Sequence, residues 1–188
     1  MSLDTTAINQ QMTHFDEHES VWLFGYGSLI FKPDFPFMER CPATISGWAR
    51  RFWQGSHDHR GTPDAPGRVV TLIEQSASQC GGMAYLITPD VFRHLDYREK
   101  NGYLRHVLQL DFVDGRREMG LVYLATADNA AFLGPASDVE IAAQIANARG
   151  PSGANSEYLL NLAQALRELG LVDEHVFALE RELRLLHG

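Results

Sequence analysis

The chain has 188 residues, of which 45% are hydrophobic and 21% are charged. This length and composition predict one ordinary globular domain that buries a core without disulfides or metals. The formal net charge of −8 at pH 7 excludes the broad positive surface that nucleic acids and anionic membranes require.

The first 20 residues are polar and are predicted to form a flexible tail, followed by one domain over residues 21–188. They lack the cationic and apolar regions of a signal peptide. No apolar run approaches the roughly 18 residues that a membrane helix needs. Two cysteines, Cys41 and Cys80, are too few for a disulfide framework or a zinc site, which predicts a reduced, cytoplasmic protein.

A short apolar strand, Val21 to Phe24, leads into a glycine turn. Glycine takes positive φ readily and leaves the backbone bare, so successive N–H groups in this turn are expected to bind an anionic or carbonyl oxygen. Pro33 and Pro36 argue against a regular helix after the turn, and a dinucleotide fingerprint also needs a third glycine. The alternative is a buried strand that ends in a tight turn. The candidate binding residues are Gly25, Tyr26, Gly27, Ser28 and Leu29.

The next predicted elements are a strand over Ala43–Gln54 and a polar loop over Gly55–Arg68. Two further strands, Val69–Ile73 and Met83–Ile87, are predicted to be joined through Gly81-Gly82. A loop this long inside a compact domain is usually functional or disordered, and its polar content favours a function. A metal site is a less favoured alternative, because nothing elsewhere completes the shell begun by His57, Asp58 and His59.

A helix is predicted to begin at Pro89, with Thr88 as its N-cap, and to close near Gly102. Its apolar stripe consists of Val91, Phe92 and Leu95, and Glu99 lands on the same stripe. Glutamate is seldom buried unless it is paired, so this carboxylate is a candidate functional group. The alternative is an ion pair between Glu99 and either Arg98 or Arg105.

The rest of the chain is predicted to form one hairpin and three helices. The turn Asp114-Gly115 joins strands over Leu104–Val113 and Glu118–Ala125. A capping box over Ser137–Glu140 starts a helix that stops at Gly150, and a second helix ends at Gly170. Asp173 caps the last helix, whose stripe is Val176, Leu179, Leu183 and Leu186. About six strands followed by helices predict an α+β fold, with a small mixed β-barrel and helices packed outside.

Five segments occur in the order typical of one family. They are Phe24–Ile30, Arg50–Gly61, Pro66–Leu72, Leu95–Tyr103 and Gly150–Tyr158. Over roughly residues 21 to 187 the chain resembles the ChaC-type, glutathione-specific γ-glutamylcyclotransferases. One departure is Phe31, where the resemblance predicts tryptophan. Phenylalanine keeps an aromatic side chain at this position.

The resemblance implies a compact mixed barrel, no cofactor, and cleavage of glutathione into 5-oxoproline and cysteinylglycine. It implies that Glu99 is the catalytic residue and that the glycine turn binds the substrate. Arg50, Arg60 and Arg68 are candidates for holding the glycyl carboxylate, and Tyr103 and Tyr158 are candidates for bordering the pocket. The expected partner is a small-molecule substrate, with no nucleic acid and no membrane; the sequence indicates no oligomeric state.

The chemistry suits these residues. The α-amine of the γ-glutamyl group attacks its own side-chain carbonyl, so orientation alone supplies on the order of 7–11 kcal/mol. One carboxylate in an apolar setting can take the proton from the amine and deliver it to the leaving amine. Two other functions are compatible: cyclisation of other γ-glutamyl amino acids or amines, and non-catalytic γ-glutamyl binding in which Glu99 pairs with Arg98.

Overall fold

The computed structural model describes residues 20–99, 103–125 and 128–188. The barrel strands are β1 (Val21–Gly25), β2 (Glu39–Ser56), β3 (Gly67–Ile87), β4 (Tyr103–Phe112) and β5 (Arg117–Ala125). The helices are α1 (Ser28–Phe31), α2 (Pro89–Arg98), α3 (Asp138–Asn147), α4 (Asn155–Glu168) and α5 (Glu174–His187). A two-residue hairpin, β6 (Arg149–Gly150) and β7 (Gly153–Ala154), precedes α4. The predicted tail, apart from its last residue, lies outside the described residues.

The five long strands close into a barrel in the order β1-β3-β2-β4-β5. The barrel is mixed, because β1 pairs antiparallel with β3 and parallel with β5. This confirms the predicted α+β fold with a small mixed barrel. None of the helices in the described part of the chain is long and apolar enough to cross a membrane.

The chain divides into two compact units. The first unit contains the described residues up to 49 and residues 74–130; the second contains residues 50–73 and 131–188. The most deeply buried large side chains of the first unit are Leu23, Phe24, Ile45, Tyr85, Ile87 and Leu110. Those of the second unit are Phe52, Ile141, Ile145, Leu159, Leu162 and Leu166.

The predicted break in the middle of β3 is wrong, because one continuous strand of 21 residues runs through Gly81-Gly82. β1 pairs residue by residue with the last part of this strand, from Gly25 opposite Met83 to Val21 opposite Ile87. A Cβ on Gly82 would lie 2.2 Å from the carbonyl oxygen of Gly25. Glycine is therefore required here for a close approach between strands, and the chain does not turn.

The region after the glycine turn also differs from the prediction. A four-residue helix, α1, opens directly at Ser28, where no regular helix was expected; Pro33 follows two residues after it ends. Gly27 has φ −134°, and the positive φ values within the described ranges occur at glycines other than Gly25 and Gly27. The lack of a side chain matters at Gly25 because a Cβ there would lie 2.8 Å from the Cβ of Leu29.

Thr88 occupies the predicted N-cap position of α2 but makes no side-chain capping hydrogen bond, whereas the other two predicted caps do. The capping box of Ser137 and Glu140 is present at α3, and Asp173 accepts a hydrogen bond from the backbone N–H of Val176 at α5. α3 ends at Asn147 and not at Gly150, because the chain enters β6. The inward placement of Leu186 is wrong: its side chain is 54% exposed, in the last turn of α5.

Candidate active site

Hydrogen bonds from two tyrosine hydroxyls hold the glycine turn within the first unit. The hydroxyl of Tyr26 donates to the backbone carbonyl of Tyr123 at 2.8 Å, and the hydroxyl of Tyr85 donates to the carbonyl of Leu29 at 2.5 Å. Burial raises the pKa of Tyr85 to about 12, so this hydroxyl remains a donor at neutral pH. Tyr26 and Gly27 are themselves buried. The result is a turn whose backbone position is fixed by two buried tyrosines.

Glu99 directly follows α2, at the C-cap of the helix. Its backbone N–H donates to the carbonyl of Leu95 at 2.7 Å, and the residue is half-buried. Val91, Phe92 and Leu95 are buried, which confirms the predicted apolar stripe. The catalytic role of Glu99 stays a prediction. Of its two alternative ion-pair partners, Arg98 has a side chain outside the described set.

The other alternative partner, Arg105, donates to Asp96 through Nε at 2.8 Å and also through Nη2. Asp96 is fully buried on the inward side of α2 and accepts a third hydrogen bond, at 2.6 Å, from the hydroxyl of Tyr123. Burial and the adjacent Asp96 both raise the pKa of Tyr123, because loss of its proton would place a second negative charge in the core. The sequence reasoning missed Asp96. The available signal was its position four residues after Phe92, at the flank of the apolar stripe.

Tyr103, the remaining candidate in the first unit, begins β4 and pairs with Ala125. It is half-buried. Its contact with substrate stays a prediction.

The second unit contains the three candidate arginines. Arg50 lies 3.2 Å from the Asp173 carboxylate. The guanidinium of Arg68 donates through Nε to Gln144 at 2.7 Å, and through Nη1 to the carbonyls of Phe52 and Gly134 at 2.9 and 3.0 Å. Burial lowers the pKa of Arg68. These contacts give Arg50 and Arg68 internal roles, and their contact with substrate stays a prediction.

Arg60 and Tyr158 are neighbours in the second unit. Nη1 of Arg60 donates to the carbonyl of Ala154 at 3.0 Å and lies 3.6 Å from a carboxylate oxygen of Glu157. The guanidinium carbon lies 5.8 Å from the ring centroid of Tyr158, within cation–π range. The hydroxyl of Tyr158 is 3.4 Å from the backbone N–H of Val70, from which it accepts. The candidate pair is thus fixed between the start of α4 and β3.

The polar loop packs tightly against the β6–β7 hairpin. A Cβ on Gly150 would lie 2.3 Å from the carbonyl oxygen of His59, and the N–H of Ser152 donates to that same oxygen at 2.9 Å. Within the described ranges, histidine, cysteine and carboxylate side chains form no group of three or more that could hold a metal ion. Nδ1 of His59 instead lies 3.2 Å from the hydroxyl oxygen of Ser152.

Comparison with known proteins gives closely related matches. The family model described as "ChaC-like protein" matches residues 21–185. Gamma-glutamylcyclotransferase 2-3 of Arabidopsis thaliana is 46% identical over 178 residues, which cover 88% of this chain and 89% of that protein. Glutathione-specific gamma-glutamylcyclotransferase 1 of Danio rerio is 43% identical over 175 residues, covering 87% of this chain and 89% of that protein.

The fold comparison agrees with the sequence comparison. The crystal structure of a yeast gamma-glutamylcyclotransferase specific to glutathione superposes with a TM-score of 0.83 at 35% identity, covering 89% of this chain and 97% of that chain. The family model spans nearly the whole described region, and relatives above 40% identity span most of the chain. The chain therefore belongs to the ChaC-like protein family.

Proposed function

We propose that this protein cleaves glutathione by cyclising its γ-glutamyl group, which releases 5-oxoproline and cysteinylglycine. The observation that carries the proposal is the match to two proteins named as specific for glutathione. The Danio rerio relative is 43% identical and 89% of its length is covered, and the yeast structure has a TM-score of 0.83 with 97% of its chain covered. The family model, which matches residues 21–185, spans both the glycine turn and Glu99.

The reaction makes one bond and breaks one bond within the same molecule. The nitrogen of the γ-glutamyl α-amine attacks the carbonyl carbon of its own side chain, and the amide bond to the cysteine nitrogen breaks. The proton that the attacking nitrogen loses is matched by the proton that the departing cysteine nitrogen gains. Because nucleophile and electrophile belong to one substrate, the main task of the protein is to hold the folded conformer in which the amine nitrogen contacts the carbonyl carbon.

Glu99 is the group we assign to both proton transfers. Glu99 is half-buried at the C-cap of α2, where a backbone hydrogen bond to Leu95 fixes its main chain. A positioned acid–base group contributes about 10²–10⁴-fold to the rate. The backbone N–H groups of the turn over Gly25–Leu29 are assigned to the substrate carboxylate or to the oxyanion that develops at the attacked carbonyl. One such donor is worth about 3–4 kcal/mol.

A second candidate keeps the chemistry and broadens the substrate to other γ-glutamyl amino acids or amines. The observation that favours it is that the Arabidopsis relative, at 46% identity, has a name that does not restrict the enzyme to glutathione. A cytoplasmic location suits either substrate class, because Cys41 and Cys80 are buried and not joined in a disulfide, and glutathione keeps cytosolic thiols reduced.

The experiment is a product assay with purified protein. Incubation with glutathione is expected to yield 5-oxoproline and cysteinylglycine in equal amounts, measured by liquid chromatography with mass detection. Glutathione that stays intact at micromolar enzyme contradicts the proposal. A parallel incubation with γ-glutamylalanine separates the two candidates: a specificity ratio, measured as kcat/KM, near one favours the broader substrate class.

A further inference from the structure

One buried polar cluster in the first unit connects α2, the helix that ends just before Glu99, with the glycine turn. Asp96, fully buried in the last turn of α2, accepts hydrogen bonds from Arg105 on β4 and from the hydroxyl of Tyr123 on β5. The backbone carbonyl of the same Tyr123 accepts the hydroxyl of Tyr26 at 2.8 Å. Arg105 and Tyr123 face each other directly across the β4–β5 pairing.

The contacts in this cluster fix the orientation of the Asp96 side chain. Two nitrogens of the Arg105 guanidinium donate to the two carboxylate oxygens of Asp96. This bidentate geometry fixes the orientation of the carboxylate as well as its position. The guanidinium carbon of Arg105 also lies 5.4 Å from the ring centroid of Phe92, one turn earlier on α2. Buried ion pairs of this kind often add no stability over a well-packed apolar set, so the presence of this pair is weak evidence for a purely stabilising role.

We propose that Asp96, Arg105 and Tyr123 form a positioning network, which fixes the end of α2, and with it Glu99, relative to the turn at Tyr26. The inference rests on the proposed function. Asp96 precedes Glu99 by three residues, and the N–H of Glu99 donates to the carbonyl of Leu95, the residue next to Asp96. Interactions that fix Asp96 therefore also fix the backbone at Glu99. An error of about 1 Å in the placement of a catalytic group costs on the order of 10²-fold in rate, so a loosened helix end reduces turnover.

The chain contains a matched control for this network. Glu180 on α5 is also a buried carboxylate, and it accepts hydrogen bonds from Arg167 and from Arg184. It belongs to the second unit and has no part in the proposed chemistry. The substitutions Asp96→Asn and Glu180→Gln therefore remove the same charge from two buried carboxylates bound by arginine, although the arginines around Glu180 are more exposed than Arg105. Tyr123→Phe is a milder third variant, which removes one hydroxyl and keeps the ion pair.

The test measures kcat and KM for glutathione together with the melting temperature of each variant. We expect Asp96→Asn and Tyr123→Phe to lower kcat by about tenfold or more while KM changes less than about threefold. Glu180→Gln is expected to lower the melting temperature and to leave kcat within about twofold of the wild type. Should Asp96→Asn fail to fold, Tyr123→Phe alone decides the question. An unchanged kcat in Tyr123→Phe, or an equal loss in Glu180→Gln, overturns the inference.

Hydrogen exchange separates this inference from the proposed function. Faster amide exchange in Tyr123→Phe is expected in two peptides at once, one covering Leu95 to Glu99 and the other covering the turn at Tyr26. Glu180→Gln should leave both peptides unchanged. Unchanged exchange in the turn overturns the coupling whether or not glutathione is cleaved. If wild-type protein does not cleave glutathione, the proposed function fails, and the positioning role in that reaction fails with it.

Discussion

In the proposed mechanism Glu99, at the end of α2, is assigned both proton transfers, and this makes it the most informative residue to change. Glutamine has nearly the same shape, so Glu99→Gln keeps the packing and removes the base. We expect kcat to fall by about 10²-fold or more, with a melting temperature close to that of the wild type. The measurement is 5-oxoproline release.

The control for this substitution is Glu182→Gln, because Glu182 is a half-buried glutamate on the surface of α5. It should leave kcat within about twofold. Turnover in Glu99→Gln that equals the wild type contradicts the role assigned to Glu99.

His175 gives a prediction about pH. The backbone N–H of Phe52 donates to Nε2 of His175 at 2.9 Å, so this nitrogen has to be unprotonated in the folded protein. Burial and the nearby Arg51 lower the pKa of His175 to about 4, and Arg50 acts in the same direction, while Asp173 and Asp138 oppose it. In the unfolded chain the pKa returns to about 6.5.

The neutral form is thus favoured by folding, so its contribution is fully present above pH 6.5 and is lost as the pH falls towards about 4. We expect the free energy of unfolding to drop by on the order of 1–3 kcal/mol across this window from His175 alone. His175→Gln, whose amide oxygen can accept the same N–H, should make the decline shallower. Urea denaturation midpoints of both proteins at pH 7, 5.5 and 4.5 provide the check. Midpoints that fall equally with pH in the wild type and in His175→Gln refute the assignment.

At the scale of elements, the pairing of β1 with β3 depends on a glycine that carries no visible function. A Cβ on Gly82 would meet the carbonyl oxygen of Gly25 at 2.2 Å and the ring of Phe24 at 2.8 Å, and a paired backbone oxygen cannot move aside. We expect Gly82→Ala to reduce the free energy of unfolding by about 3 kcal/mol or more, the upper end of overpacking costs.

Gly47 on β2 is a useful comparison, since an added Cβ there meets nothing within 4 Å and only the positive φ of 86° opposes a side chain. Gly47→Ala should cost about 1–2 kcal/mol. Equilibrium denaturation in urea measures both variants. A loss in Gly82→Ala that is no larger than the loss in Gly47→Ala contradicts the close-approach explanation.

The elements that the sequence predicts well are those with local signals. The capping box at Ser137 and the cap at Asp173 depend on groups three residues apart, and both are present. The continuity of β3 could not be predicted in this way. Whether Gly81-Gly82 bends or continues is decided by Gly25 and Phe24, which lie more than 50 residues earlier in the chain. Asp96 was missed for the same reason, because its two partners are on strands that follow it.

At the scale of the whole molecule, five ordered motifs were enough to predict the family and the mixed barrel. They did not predict the internal partners of the candidate arginines. Arg68 is held by Gln144, which is 76 residues away, and Arg50 lies beside Asp173, 123 residues away. Motifs identify which residues matter to a family, whereas only the tertiary contacts distinguish a residue that holds the fold from one that is also available to a substrate.

The last prediction concerns the complete reaction. Metals in hydrolytic enzymes commonly generate a nucleophile from water, but in the proposed cyclisation the nucleophile is the substrate's own amine and no water is consumed. Protein treated with EDTA or 1,10-phenanthroline and then desalted is therefore expected to keep its turnover of glutathione within about twofold of untreated protein. The matched control is the same protein desalted without chelator. Activity that is lost on chelation and restored by adding a divalent ion contradicts this mechanism and favours metal-dependent hydrolysis. The product distinguishes the two chemistries independently, since hydrolysis of the same amide bond releases glutamate and not 5-oxoproline.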